Sequence, residues 1–207
     1  MKIFSIDNPL MIFLGKAADI LILNILYIVC SLPIITIGAT TTAAYTVTKN
    51  LKKGEEISII KDFFIAFKNN FKTSTLSWLI VIFIGSILVI DFQIASQLPG
   101  SLKDILRIIV VMLGIIYIFT LLYLFQYIAT FQNKLFTCFK NSILLSIAKL
   151  PYSLLFLAII LFSIGVTYIL GLGITGSFWT LFGFELIIYL TNNMYVRIFD
   201  SINLKKA

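Results

Sequence analysis

The residues best suited to chemistry in this sequence lie inside its apolar segments. Glu185 is the one acidic residue well within such a segment. If the segment crosses a bilayer, a charge near its middle costs about 2.5 kcal/mol or more, so it usually faces a protein interior or water-filled cavity. Asn192 and Asn193 lie about two turns further along the same segment, and Asp19 and Asn24 lie at roughly the matching predicted depth in the first apolar segment. These residues and Glu185 form a candidate polar site for a solute or ion. The alternative is a structural set of hydrogen bonds or an ion pair, in which Lys16 could be the cation.

The rest of the sequence offers little for catalysis. It contains no histidine, and Cys30 and Cys138 belong to no CxxC pair. Ser-His and Cys-His nucleophile pairs and most zinc patterns are therefore excluded. A GxxxxGK[ST] phosphate loop is also absent, and a lone acid is weak support for acid-base work. We predict no enzymatic activity, no cofactor and no metal site.

One long uncharged stretch decides the fold class. Residues 150–184 contain no Asp, Glu, Lys or Arg across thirty-five positions. About 20 apolar residues already span a bilayer core, so this stretch predicts two spans joined by a turn in the Gly-rich residues 171–177. The whole chain is 60% hydrophobic and only 12% charged. We predict an all-α, polytopic helical membrane protein, forming a single transmembrane domain over residues 1–207.

The apolar segments predict five clear transmembrane helices, at about residues 17–37, 73–90, 108–133, 151–170 and 178–196. Residues 36–48 are uncharged but only moderately apolar. They predict a short sixth span or an interfacial continuation of the first helix. Lysine clusters in residues 49–72 and 134–149, which the positive-inside rule places in the cytoplasm with the C-terminus. Six spans put the N-terminus in the cytoplasm too, whereas five put it outside.

A short pattern, Phe-x-x-Phe-Lys-Asn, occurs at residues 64–69 and again at 136–141. Each copy precedes a predicted hairpin, so the chain could consist of three hairpin repeats, 1–55, 56–133 and 134–207, or the match could arise by chance. Both copies are amphipathic, and in the first Ile57, Ile60, Phe64, Phe67 and Phe71 share one helix face. We predict cytoplasmic amphipathic helices that anchor in the membrane interface or dock to a partner. The candidate partner contacts are Phe64, Phe67, Lys68, Asn69, Phe71, Phe136, Phe139, Lys140 and Asn141.

Three stretches resemble a known family. They are residues 23–33 running into Thr36-Ile-Gly38, then Gly54-Glu55-Glu56, and then residues 62–72. In this order they resemble the YesL-like family of small bacterial membrane proteins, which carry a domain of unknown function. The resemblance implies the cell membrane of a Gram-positive bacterium. It also implies a role in sugar uptake, because genes of this family often lie beside ABC-type carbohydrate importers and glycan-degrading enzymes.

These observations lead to a functional expectation. We expect a non-enzymatic accessory subunit or partner of an ABC-type sugar importer, in contact with the lipid bilayer. The first alternative is a small solute transporter, and the second is an intramembrane factor in envelope glycopolymer synthesis. The net charge of +7 is explained by cytoplasmic loops, so no nucleic-acid partner is expected. The sequence leaves the sugar, the partner and the oligomeric state open.

Overall fold

The computed structural model describes residues 9–55, 57–97, 99–131 and 133–203. The helices in this part of the chain are α1 Pro9–Ser31, α2 Ile37–Lys52, α3 Ile59–Gln97, α4 Ser101–Thr130, α5 Leu135–Ala148, α6 Leu150–Phe178 and α7 Phe184–Asn203. A short 3-10 turn precedes α2, and a π turn precedes α7. No strand occurs among the described residues, so the all-α prediction is confirmed.

Four helical segments are long and apolar enough to cross a membrane. They are Phe13–Ser31, Ile59–Gln97, Leu102–Thr130 and Leu150–Gly171. The other two predicted spans correspond to α2 and α7. The first of these helices has only 16 residues, and the second contains Glu185, Arg197 and Asp200. The structure therefore supports a membrane protein with at least these four candidate spans.

The helices are arranged as antiparallel pairs. In the α1–α2 pair, the Tyr27 hydroxyl lies 3.2 Å from that of Thr41. In the α3–α4 pair, the Tyr117 hydroxyl donates to the Val81 carbonyl at 3.0 Å. The lysine-rich residues 49–72 and 134–149 consequently meet at one end of the bundle, which we call the lysine-rich end.

α2 is the helix packed most closely against its neighbours. Its buried side is made of small residues, which let other helices approach. A Cβ atom on Gly38 would lie only 2.5 Å from the Ser74 carbonyl oxygen and 2.9 Å from Cε1 of Phe125. The hydroxyl of Thr42 bonds to that of Ser74 at 2.8 Å and also donates to the Gly38 carbonyl. The uncharged, threonine-rich segment is thus a central packing helix.

α3 extends well beyond the thickness of a bilayer core. Its 39 residues correspond to about 58 Å at the α-helical rise, against about 30 Å of hydrocarbon. The first Phe-x-x-Phe-Lys-Asn copy is therefore the start of α3 and not a separate helix. α5, which carries the second copy, is a separate helix that ends before Lys149.

The interior of the bundle holds a group of aromatic rings from four helices. Tyr195 of α7 stacks on Phe156 of α6 with ring centroids 4.1 Å apart, and it meets Tyr123 of α4 edge-on at 5.6 Å. The Tyr195 hydroxyl donates to the Leu122 carbonyl at 2.7 Å. Tyr45 of α2 approaches the same ring edge-on at 5.9 Å. These contacts join α7 to the rest of the bundle.

The connection between α6 and α7 differs from the predicted tight turn. Gly171 has φ 75° and ψ 155°, which breaks the helical path at the start of the predicted turn region. The chain then continues as helix to Phe178, and the π turn Trp179–Gly183 leads directly into α7. The reversal therefore takes place at one glycine, and most of the predicted loop is helical.

Candidate functional site

Glu185 lies near the start of α7 and is completely buried. Its Oε1 accepts a hydrogen bond from the Thr48 hydroxyl of α2. Its Oε2 is buried too, and it has no hydrogen-bond partner among the described residues. Glu185 therefore faces the protein interior and keeps one unused acceptor.

Asn24 of α1 joins the backbone of the π turn to that of α7. Its Nδ2 donates to the carbonyls of Trp179 at 3.1 Å and Thr180 at 2.9 Å. Its Oδ1 accepts from the backbone N–H of Glu185 at 3.0 Å. The side-chain amide thus takes the place of a peptide group in the helical hydrogen-bond ladder, where the π turn disturbs the normal pairing.

Lys52, at the end of α2, lies on the lysine-rich side of Glu185. Its ammonium group donates to the Tyr189 carbonyl, and Nζ lies 3.9 Å from the centroid of the Tyr189 ring. Tyr189 follows Glu185 by one helical turn, so the lysine beside this acid is Lys52, and not the suggested Lys16. A cation over an aromatic ring is stabilised by the ring quadrupole.

The structure separates the other predicted polar residues. Asn192 is buried and its Nδ2 donates to the Tyr45 carbonyl at 3.4 Å, whereas Asn193 is exposed. Asp19 is half-buried and precedes Asn24 by five residues, so the two side chains point to different faces of α1. Of the predicted site residues, the structure thus brings together Glu185 and Asn24, and Asn192 lies about two turns further along α7.

Sequence reasoning missed Thr48 and Lys52. A hydroxyl within a threonine-rich segment carries no distinct signal, so Thr48 could not be singled out. Lys52 follows Thr48 by four residues, and residues four apart share a helix face, so this spacing could have indicated Lys52 once Thr48 was known. We call Glu185, Asn24, Thr48 and Lys52 the polar cluster. Within the described ranges, no group of three or more His, Cys, Asp or Glu side chains could hold a metal ion.

The first Phe-x-x-Phe-Lys-Asn copy presents most of its residues to the outside. Phe64 and Phe71 are 49% and 41% exposed, and Lys68 and Asn69 are exposed as well. Phe67 is half-buried, with its ring centroid 5.4 Å from that of Phe71. The buried side of this part of α3 is formed by other residues, namely Phe63, Ala66, Ser74 and Ser77.

The second copy is only partly exposed. Phe136 is 79% exposed and Lys140 is exposed, but Phe139 packs against the aromatic core. Nδ2 of Asn141 donates to the Tyr127 hydroxyl at 2.6 Å. The asparagines at equal positions therefore have different roles, since Asn69 is exposed and Asn141 is bound within the fold.

Both copies fall within the lysine-rich residues 49–72 and 134–149, so their exposed residues lie at the lysine-rich end, and the two helices that carry them, α3 and α5, are in contact. We call these residues the α3–α5 surface: Phe64, Lys68, Asn69, Phe71, Phe136 and Lys140.

The helices and the four candidate membrane spans show an all-helical protein whose apolar helices suit a bilayer. Residues 20–92 match the family described as "Protein of unknown function, DUF624". The chain is 30% identical to the uncharacterized protein YteU of Bacillus subtilis (strain 168) over 120 residues, which cover 58% of this chain and 54% of YteU. It is 27% identical to the uncharacterized protein YesL of the same organism over 162 residues, 76% of each chain.

The chain therefore carries a DUF624 region and is a distant homologue of YesL and YteU, so the resemblance to the YesL-like family is confirmed. The match to YteU spans about half of that protein's length. No solved structure matches the chain.

Proposed function

We propose that this chain is a non-enzymatic membrane protein that assists carbohydrate uptake by binding a component of an ABC-type sugar importer. The lysine-rich end would face the cytoplasm, with both termini on that side and six spans in a bacterial cell membrane. The sugar-uptake part of the proposal derives from the YesL-like resemblance, and the binding part derives from the α3–α5 surface.

The observation that carries the proposal is the exposure of aromatic rings beside lysines on two helices in contact. Phe136 is 79% exposed, and Lys140, one helical turn later, is exposed too. Phe64 is 49% exposed, and the exposed Lys68 follows it by one turn. Aromatic side chains are favoured anchors in protein interfaces. Since α3 is longer than the bilayer core is thick, its first turns can extend past the apolar run of residues 73–90 toward a partner.

The polar cluster favours a supporting role over a transport path. Oε1 of Glu185 is bound to Thr48, and both ends of the Asn24 amide bind backbone groups. Two cavities beside α6 are lined by other residues and do not include Glu185. These bonds join α1, α2 and α7, which suits a rigid scaffold for an interaction surface.

Affinity purification from membranes in mild detergent tests the proposal. The variant carries Phe64→Ala, Lys68→Ser and Phe136→Ala, all on exposed side chains, and it should leave the fold intact. The matched control carries Phe13→Ala and Lys16→Ser, an exposed Phe and Lys pair on α1.

We expect importer subunits, identified by mass spectrometry, to copurify with the wild-type and control proteins and to be lost from the variant. Equal recovery with all three proteins would show that the α3–α5 surface is a lipid anchor. Absence of importer subunits from every sample would remove the proposal.

A second candidate function is a small solute transporter. The observation in its favour is Oε2 of Glu185, a buried acceptor without a hydrogen-bond partner in the described part of the chain. Such a group could take part in binding a proton or cation during transport. Uptake of sugar or ions by purified protein in liposomes, lost in Glu185→Gln, would support it over the partner role.

A further inference from the structure

A groove of about 540 Å³ lies between the first half of α6 and the segment formed by the π turn and α7. It is separate from the polar cluster. Its walls are mostly aliphatic and aromatic, and include Leu155, Ile159, Phe162, Val166, Trp179 and Leu190. This volume lies within the range of small-ligand pockets.

The polar groups in the wall of the groove are already used within the protein. The hydroxyls of Ser163, Thr167 and Thr175 each donate to a carbonyl four residues earlier, at 2.8 Å. The indole Nε1 of Trp179 donates to Thr167 Oγ1, also at 2.8 Å. These groups offer a polar occupant, such as a sugar, no free donor and only a few acceptor lone pairs, so most of its hydrogen bonds to water would be lost, which is costly.

The inner wall of the groove is held in place by the π turn. A Cβ atom on Gly183 would lie 2.1 Å from Cε3 of Trp179, so the indole ring rests directly on this glycine. The Trp179 carbonyl accepts a hydrogen bond from Asn24 at 3.1 Å. The groove wall and the polar cluster therefore share one rigid support.

The groove opens onto the exposed surface of α6, which is an apolar helix. Phe162 is 73% exposed, and the segment Leu150–Gly171 is one of the four candidate membrane spans. Acyl chains surround such a helix in a bilayer. We propose that this groove is a binding site for the acyl chain of a membrane phospholipid, held between α6 and α7 against Trp179.

Photolabelling in vesicles tests this site. The purified full chain is reconstituted in phosphatidylcholine and phosphatidylglycerol that contain a phospholipid with a diazirine in its acyl chain. After illumination, labelled residues are mapped by mass spectrometry. The reference positions are Phe83 and Met112, which are 66% and 61% exposed on α3 and α4.

Two variants fill the groove from its wall: Ala158→Phe and Leu155→Trp, at exposed positions. Ala18→Phe is the matched control, since Ala18 is an exposed alanine on α1. Size-exclusion elution before reconstitution shows which variants are folded, and either filling variant is sufficient for the test.

We expect labelling of Phe162 and Leu190 to exceed that of Phe83 and Met112 several-fold, because a held chain stays beside the groove. A filling variant should reduce groove labelling to the level of the reference positions, and Ala18→Phe should not. Groove labelling equal to the reference positions would overturn the proposal, since ordinary lipid contact would then explain it. Groove labelling below the reference positions would also overturn it, because another protein segment or a second copy would then cover the groove.

Discussion

Oδ1 of Asn24 on α1 accepts a hydrogen bond from the backbone N–H of Glu185 on α7 at 3.0 Å, and the two residues are 161 positions apart in the sequence. The same amide donates to the Trp179 and Thr180 carbonyls, so one side chain completes the backbone bonding at the junction of the π turn and α7. This relationship fixes the rotation of α7 and thereby places the Glu185 carboxyl against Thr48.

Replacing Asn24 with Ala should destabilise the protein clearly. The change leaves a buried N–H and two carbonyls without their partner, at about 1–3 kcal/mol for each unsatisfied group. For a chain of this size, about 2–4 °C of melting temperature corresponds to 1 kcal/mol, so the three unsatisfied groups together predict a fall of about 6 °C or more. Thermal unfolding followed by size-exclusion fluorescence measures it. Asn193→Ala, at an exposed asparagine, is the control and should melt like the wild type.

Glu185→Gln should leave folding, abundance and sugar-dependent growth at wild-type levels. The amide oxygen of Gln can still accept the bond from Thr48, and the change does not alter the size of the side chain. Membrane abundance, melting temperature and growth on the sugar are the measurements. Normal folding together with a loss of growth would favour the transporter over the partner role.

Gly38→Ala should disturb the packing of α2 against α3. The new Cβ atom would overlap the Ser74 carbonyl at 2.5 Å and Cβ of Trp78 at 2.7 Å, so the helices must move apart. Overpacking of this kind typically costs about 1–3 kcal/mol. Gly114→Ala is the matched control, because nothing lies within 4 Å of its added Cβ, and alanine there should stabilise the helix slightly. A melting temperature for Gly38→Ala equal to that of Gly114→Ala would contradict the close packing of α2.

The orientation of the bundle can be tested by cysteine labelling of intact cells. A membrane-impermeant maleimide should react with Gln97→Cys and not with Ser58→Cys, because Ser58 lies at the lysine-rich end. Cys30 is replaced by Ser, while Cys138 can remain. Its side chain is fully buried, and this burial raises the pKa of the thiol, so little reactive thiolate forms. Labelling at Ser58→Cys would reverse the proposed orientation.

Ser5→Cys in the same background distinguishes six spans from five. Position 5 lies outside the described residues, and the six-span topology predicts that it is protected in intact cells. Labelling of this position, with Ser58→Cys still protected, would favour five spans.

The sequence predicts some features of this fold because they depend on composition along the chain. Charge-free stretches locate the long helices, and Gly171 breaks α6 where a Gly-rich region predicted a turn. The pairing of Asn24 with Glu185 could not be predicted, because it depends on how distant helices meet. The helical period could have separated Asn192 from Asn193. Asn192 follows Glu185 by seven residues and returns to nearly the same helix face, whereas Asn193 is turned away from it.

The amphipathic stripe of α3 shows what helical periodicity could not decide. In a soluble protein an apolar stripe marks the buried face, but in a bilayer the lipid-facing side is apolar as well. Here Ile60, Phe64 and Phe71 are exposed, and small residues such as Ala66 and Ser74 form the buried face. Periodicity therefore located the helix but could not tell a lipid anchor from a partner surface.

The central claim, that the α3–α5 surface binds an importer component, is tested most directly by photocrosslinking in living cells. A photoreactive amino acid is placed at Lys68 or Phe136 on the surface, and at Phe83 on the outer face of α3 as the control. The proposal predicts sugar-importer subunits, identified by mass spectrometry, in the crosslinked products from positions 68 and 136 and none from position 83. Crosslinks at positions 68 and 136 only to lipid, or the same protein partners at position 83, would contradict it.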